Sequence, residues 1–351
     1  MTRRKQLGRF RVLFALTALA AGFAGYWLWD RYHGFVVAPL GVPEGSSVQV
    51  QRGDSFVAVL RKLRAAGVET GHDLEWQLLA RQMGAAGRIQ VGEYPLAPAM
   101  TPRELLQAMR DGKVLNYRFT IVEGWNIREL RAALTRAQPL EQQAAELDDA
   151  ALMEALGHPG QHPEGRFLPE TYIYTRGDSD LDILRRAHRS MERALDKAWE
   201  ARAPDLPLED KEQALILASI VEKETGVPEE RARIAGVFVR RLRLGMRLQT
   251  DPTVIYGIGD DYDGNITRRH LETDTPYNTY TRTGLPPTPI AMPGVDALRA
   301  AVDPAEGDEL YFVAVGDDSG RHVFSRTLAE HQAAVREYLR RYRERTRQDG
   351  R

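Results

Sequence analysis

The chain contains no cysteine. That excludes disulfides, thiolate nucleophiles and cysteine-ligated metal or iron–sulfur centres, and it fits an oxidising compartment. Acidic residues are missing from the head. Arg3, Arg4, Lys5, Arg9 and Arg11 all precede Asp30, the first acid. The formal net charge of −1 over 351 residues therefore sums a basic head and a mildly acidic body. A general nucleic-acid binder would spread positive charge over its folded surface, so no nucleic-acid partner is expected. Charge of either sign is absent from Val12 to Trp29. About 18 apolar residues is near the lower limit for spanning the hydrocarbon core. The cations before this run should stay cytoplasmic, with Tyr26, Trp27, Trp29 and Tyr32 as the outer aromatic belt. A signal-peptide cut at Ala18-Leu19-Ala20 would leave too short an apolar core. The expectation is a basic cytoplasmic tail 1–11, a single-pass inner (cytoplasmic) membrane anchor 12–32, and the rest of the chain outside the cytoplasm.

Two prolines and three glycines between Gly34 and Ser47 read as a linker, bounded at 33–47. Val48 and Val50 alternate with Gln49 and Gln51, as in a short strand. Gly53-Asp54-Ser55 turns the chain into a helix carrying Phe56, Val59, Leu60 and Leu63, and a second helix carries Leu74, Leu78, Leu79 and Met83. Val91 to Leu96 is a second strand candidate. Thr101-Pro102-Arg103-Glu104 then combines a capping-box pair with proline at the first helical position, and its helix should run to about Gly112. Residues 48–113 thus form a small βααβ unit followed by a helix. From Val114 a new block begins. Leu115, Tyr117, Phe119 and Ile121 alternate with polar residues, as in a half-buried strand. Helical patterns follow at about 127–136, 148–156, 179–202, 208–225 and 228–244. A late strand is expected at Leu310 to Val315 and a helix from Leu328 to about Tyr342. Between Gln249 and Gly294 the chain is rich in Thr, Tyr, Asn, Gly and Pro and shows little periodicity. A loop-rich stretch that long is usually functional or disordered, and its aromatics argue against disorder. The fold class is α+β with helices predominating: one transmembrane helix, the βααβ domain, a larger helix-rich domain at 114–345, and a tail 346–351.

Several familiar chemistries are also missing. Gly257-Ile258-Gly259 lacks the third glycine of a dinucleotide site. Asp261 to Glu272 has Ile266 where a calcium loop needs glycine. No histidine pair has zincin spacing, and Ser219 is not followed by the lysine of an S-x-x-K nucleophile. No metal and no cofactor is expected. What is present is a nearly continuous apolar run, Ala214 to Val221, ending in Glu222-Lys223-Glu224-Thr225. At about 100° per residue, Glu224 falls within about 20° of Leu217 and 40° of Ile220, so it continues an apolar stripe. A carboxyl there is desolvated and stays protonated longer, which suits a general acid at a glycosidic oxygen. Pairing with an arginine of the next helix fits the same residues. Glu222 lies on another side, and Lys223 should face solvent. Gln249-Thr250-Asp251-Pro252-Thr253 offers short hydrogen-bonding side chains, or simply an Asx-type turn. Tyr277-Asn278-Thr279-Tyr280 with Gly284-Leu285-Pro286-Pro287 suits a sugar-stacking wall, or a rigid surface loop. Arg231, Arg233, Arg240, Arg241, Arg243 and Arg247 read as a solvated helix face, or as a site for an anionic polymer.

Taken in order and spacing, these segments carry a resemblance. Glu222-Lys223-Glu224-Thr225, Arg240-Arg241-Leu242, Gly245 to Gly257, Tyr277-Asn278-Thr279-Tyr280, Gly284-Leu285-Pro286-Pro287, Pro289-Ile290, Pro293-Gly294, Tyr311-Phe312-Val313-Ala314 and His322-Val323-Phe324 resemble the YceG-like endolytic murein transglycosylases. The likeness is close over about 114–340 and extends to the anchor and the βααβ unit, which is similar to the family's LysM-like domain. Thr288 departs from it, standing where the family usually has glycine. The resemblance implies a membrane-anchored periplasmic lyase. It would cut the MurNAc–GlcNAc β-1,4 bond within peptidoglycan glycan strands, leave 1,6-anhydro-MurNAc ends, and terminate or release nascent strands. Glu224 would act as general acid and then base. Glu222, Gln249, Thr250, Asp251, Tyr277, Asn278, Thr279 and Tyr280 would line the substrate cleft. The implied partners are peptidoglycan glycan strands, the inner membrane and peptidoglycan-synthesis enzymes. The alternatives are a hydrolysing muramidase with Asp251 or Glu222 as second carboxylate, and a non-catalytic glycan-binding scaffold.

Overall fold

Helix starts in this chain are set by local hydrogen bonds. Ser55, Thr101, Asn126, Asp148, Ser179 and Asp210 each accept a bond from the backbone N–H three residues on. Each bond satisfies a donor that the helix itself leaves orphaned. The structure, a computed structural model, describes residues 2–317 and 319–349. The expected tails at 1–11 and 346–351 lie, in their side chains, outside the described residues. The fold is a helix-rich α+β arrangement with a long apolar helix at the N-terminus. It divides into two compact units, 1–117 with 175–177, and 118–174 with 178–351.

The first unit begins with α1, Thr2–Val37. Its segment Leu13–Val37 is long and apolar enough to cross a membrane, and every residue from Leu13 to Arg31 is exposed. Then come β1 (Ser47–Val50), α2 (Phe56–Ala65), α3 (Asp73–Gln82), β2 (Gly92–Pro95) and α4 (Pro102–Asp111). The two strands pair antiparallel, Val48 opposite Tyr94 and Val50 opposite Gly92. Their inward side chains meet Val59, Leu60 and Leu63 of α2, Trp76 and Leu79 of α3, and Leu105, Leu106 and Met109 of α4 in one buried cluster. α4 stops where expected, at Gly112, whose φ of 69° is left-handed and suits glycine. Residues 33–47 differ from the expected linker. They stay helical to Val37, and Phe35, Val36, Leu40 and Val42 are all buried in the unit's core. Phe35 meets Trp76 edge to face at 5.5 Å, and Leu40 N–H donates to Met100 O at 2.8 Å. Proline and glycine marked irregular backbone correctly, but irregular backbone is not always loose.

The second unit contains β3 (Tyr117–Thr120), α5 (Ile127–Leu134), α6 (Asp149–Leu156), β4 (Thr171–Tyr174), α7 (Asp180–Glu200), α8 (Lys211–Glu224) and α9 (Arg231–Arg243). These are followed by α10 (Asp251–Ile258), α11 (Arg268–Glu272), α12 (Val295–Val302), β5 (Tyr311–Ala314), β6 (His322–Ser325) and α13 (Leu328–Asp349). β3 pairs with β4, and β5 with β6. α8 is the centre. Every residue from Ala214 to Val221 is buried, enclosed by α7, α9, α12 and the 290 loop. Gly236 lets α9 come close to the 303–307 segment, since a Cβ there would lie 2.5 Å from Ala305 O. The loop-rich stretch expected at 249–294 contains α10 and α11. Asp251-Pro252 opens a helix rather than a free turn, because proline is pre-organised for the first helical position.

Candidate active site

Glu224 is the last residue of α8, and the chain turns extended at Thr225 (φ −146°, ψ 133°). The apolar stripe that carries Leu217 and Ile220 into the core carries Glu224 with them. Taken as a whole residue, Glu224 is half-buried and lines a cavity. Protein packs round the carboxyl, and desolvation pushes its pKa up to about 7. Three further influences are smaller. The Thr250 hydroxyl donates to Oε1 and lowers the value, the charge of Asp251 raises it, and the charge of Arg241 lowers it.

Thr250 holds the N-cap position of α10 but does not cap it with its side chain. Its hydroxyl goes to Glu224 instead. The C-terminal end of α8 therefore meets the N-terminal end of α10, whose partial positive charge favours a carboxylate once the proton has left. The N–H of Thr250 donates to Thr279 Oγ1 at 3.1 Å, and the Thr253 hydroxyl donates to Thr250 O at 2.8 Å. Gln249 enters this turn with φ 50°, a left-handed conformation that side chains other than glycine seldom adopt. Such outliers are held in place by their surroundings. Here Gln249 N–H donates to Thr279 O at 3.1 Å, fixing the turn.

Glu224, Gln249, Asp251 and Tyr280 line one cavity of about 420 Å³, together with Arg241, Tyr311 and His331. The Tyr280 hydroxyl donates to Asp251 Oδ1 at 2.5 Å. The other residues expected at the substrate have different work. Glu222 Oε2 accepts from Gly294 N–H at 2.9 Å, with Arg231 3.8 Å from its other oxygen, so it holds the 294 turn. Tyr277 packs on Tyr256 and hydrogen-bonds Thr288 at 2.8 Å. Asn278 is buried and donates to the carbonyls of His270, Leu271 and Thr273. Thr279 is buried between Thr250 and Thr253. Thr279 thus braces the 249–253 turn, Asn278 ties down the 270–273 segment, and Tyr280 of the same run faces the cavity.

The arginines divide: Arg233, Arg243 and Arg247 are exposed, Arg231 and Arg240 are half-buried, and Arg241 is buried. Arg240 donates to Ala305 O and Glu309 O, Arg243 to Asp205 O and Arg247 to Tyr280 O. Arg241 is buried, donates to Leu248 O at 2.8 Å and Leu310 O at 2.6 Å, and lies over the Tyr311 ring. It ties the 248 loop to β5 beside the acid. Among the cavity residues that carried no role in the sequence are Tyr311, quoted only within a motif, and His331. Their rings stack at 5.1 Å across the β5–α13 packing. The signal was weak, because a lone histidine on a helix ordinarily reads as core or surface.

The arrangement can deliver one proton. It offers a carboxyl protonated near neutrality, a hydroxyl and a helix N-terminus to support its anion, and aromatic surface beside it.

Comparison with known proteins follows the same residues. A family profile described as the YceG-like family matches residues 48–337. The chain is 30% identical over 317 residues to a Bacillus subtilis (strain 168) protein named endolytic murein transglycosylase, covering 86% of this chain and 84% of that one. A protein of the same name from Streptococcus pneumoniae serotype 2 is 25% identical over 334 residues, covering 86% of this chain and 58% of that one. A crystal structure of a yceG-like protein from Listeria monocytogenes aligns with a TM-score of 0.52 at 28% identity, covering 82% of this chain and 98% of the other.

Proposed function

Since the chain belongs to the YceG-like family, we propose that it is a lytic transglycosylase that cleaves peptidoglycan glycan strands internally, with Glu224 as its single catalytic carboxyl. The observation that carries this reading is the Glu224 carboxyl, held protonated near pH 7 by desolvation at the wall of a polar and aromatic cavity. In the reaction, Glu224 gives its proton to the glycosidic oxygen as the MurNAc C1–O bond breaks. The resulting carboxylate takes the proton of the muramic acid C6 hydroxyl, whose oxygen bonds to C1. The strand ends in 1,6-anhydro-MurNAc, the acid is restored, and no water is consumed. Because the substrate supplies the nucleophile, a second carboxylate is unnecessary, unlike in ordinary glycosidases.

One observation favours a second reading. Asp251 shares the cavity and could serve a hydrolysing muramidase as second carboxylate. Digestion of purified sacculi decides between the two. The expected products carry anhydro ends, whereas hydrolysis would add one water to each. Glu224→Gln should lower the rate by about 10²- to 10⁴-fold, the usual contribution of a general acid–base group, with the fold intact by circular dichroism. A variant retaining most of the wild-type rate would remove Glu224 from the role. No new chain ends from wild type would leave a glycan-binding scaffold.

The rest of this reading concerns setting. Residues 12–32 anchor the chain in the inner membrane with the N-terminus cytoplasmic and the catalytic unit in the periplasm. The βααβ unit acts as a LysM-like glycan-binding module. Peptidoglycan-synthesis enzymes are the expected neighbours, and cross-linking in intact cells tests that association.

A further inference from the structure

A histidine of α7 stands apart from the Glu224 cavity. His188 is 1% exposed. Its Nε2 lies 2.8 Å from Gln161 Oε1. An amide oxygen only accepts, so Nε2 carries the proton and Nδ1 presents a lone pair. Nδ1 is buried and has no hydrogen-bond partner. An orphaned buried acceptor carries the desolvation cost of its lost water.

Two other ligand-bearing side chains converge on that nitrogen. Glu192 is one helical turn on, with Oε2 3.5 Å away. His158 comes from the loop after α6, and its ring stacks on His188 at 3.8 Å. One ligand atom from each of the three lies within 4.8 Å of the others. We propose that His158, His188 and Glu192 bind a divalent transition metal of the zinc class, clipping the 157–166 loop onto α7.

The donor set fits that class: two imidazole nitrogens and a carboxylate oxygen, which zinc takes at about 2.0–2.2 Å. His158 is half-buried, and binding would require its ring to turn out of the stack and aim a nitrogen inward. Gln161 supplies the outer partner that metal-binding histidines usually have, fixing tautomer and ring orientation. A cavity of about 650 Å³, with Gln161 and Glu192 on its wall, lies alongside the cluster. Its wall carries four cations, Arg166, Arg189, Arg193 and Lys211, against four carboxylates, Glu192, Asp196, Asp210 and Glu212; Arg166 pairs with Glu212 at 2.5 Å and Lys211 with Asp196. The sequence hid the site because His158 and His188 lie far apart along the chain.

The test uses the full chain in detergent, stripped with chelator and dialysed against Zn²⁺. Metal content is read by mass spectrometry, and Co²⁺ substitution by its ligand-field absorption. The expected result is one Zn²⁺ per chain and tetrahedral-type cobalt bands. His158→Ala and Glu192→Gln, both at solvent-reachable positions that leave the fold intact, should each lose the bound metal and the rise in melting temperature that Zn²⁺ gives wild type. Gln161→Ala should keep the stoichiometry and weaken affinity about 10- to 100-fold. No metal retained by wild type, or undiminished retention in either ligand variant, overturns the proposal. Because the readout is metal content, it is independent of the transglycosylase assignment.

Discussion

At the residue scale, Glu224 meets two opposing demands. It must stay protonated to act as an acid, and it must survive as an anion between steps. Burial serves the first demand, and the Thr250 hydroxyl with the N-terminus of α10 serves the second. Thr250→Val keeps the shape and removes the donor. Its loss should raise the pKa of Glu224 further, moving the alkaline limb of the kcat profile upward and lowering the maximal rate, as read from initial rates on sacculi across pH. Burial also has a sign in stability. The Glu224 pKa is raised from 4.5 to about 7 on folding. Its contribution is therefore fully present below about pH 4.5 and is lost as pH rises towards 7, where the unfolded chain ionises and the folded one resists. Glu224→Gln never ionises, so thermal melts should show it more stabilised relative to wild type at pH 8 than at pH 4.5. Equal differences at the two pH values would contradict the buried-acid reading. This much was legible in the sequence, since helical spacing alone put Glu224 on the stripe of Leu217 and Ile220. The partnership with Thr250 was not, because it joins ends of two helices that only tertiary packing brings together. Glu222 shows the same limit: two residues from the acid, it faces the 294 turn instead.

At the element scale, strong periodicity and caps made α2 to α9 readable to within a few residues, and a helix-rich α+β fold with them. The misses have physical reasons. α10 was read as loop because its start, Asp251-Pro252, is equally a turn signal, and its eight residues show little amphipathic contrast. β4 and β6 are four residues each, too short for alternation to stand out. α8 draws its rigidity from a polar fastening that no hydropathy pattern shows. The hydroxyl of Ser219 is buried, donates to Ile216 O at 2.7 Å and accepts from Ile290 N–H at 3.0 Å. Ser219→Ala leaves that N–H unpaired in the core, at a cost of about 1–3 kcal/mol. Chemical denaturation should show that loss as a lower midpoint with an unchanged slope. A change within error would mean that the 290 loop finds another acceptor.

At the scale of the whole molecule, the N-terminal helix does more than its apolar run suggested. Composition identified a span and placed a linker after it, yet the last turn of α1 is part of the core of the first unit. Phe35→Ala, which removes a buried ring packed on Trp76, should cost about 3–5 kcal/mol. A melt of the detergent-solubilised chain should show the drop, and none would be seen if that turn frayed in solution. The unbroken helix also sets a height. From Trp29 in the aromatic belt to Phe35 in the core is six residues, about 9 Å at 1.5 Å each. In a bilayer the first unit then stands on a stilt rather than a leash. On the proposed anchoring, that spacing keeps the unit close to the lipid headgroups. Under the proposed anchoring and glycan binding, the length of this one helix sets the unit's height, and seven added residues would raise it by about 10 Å.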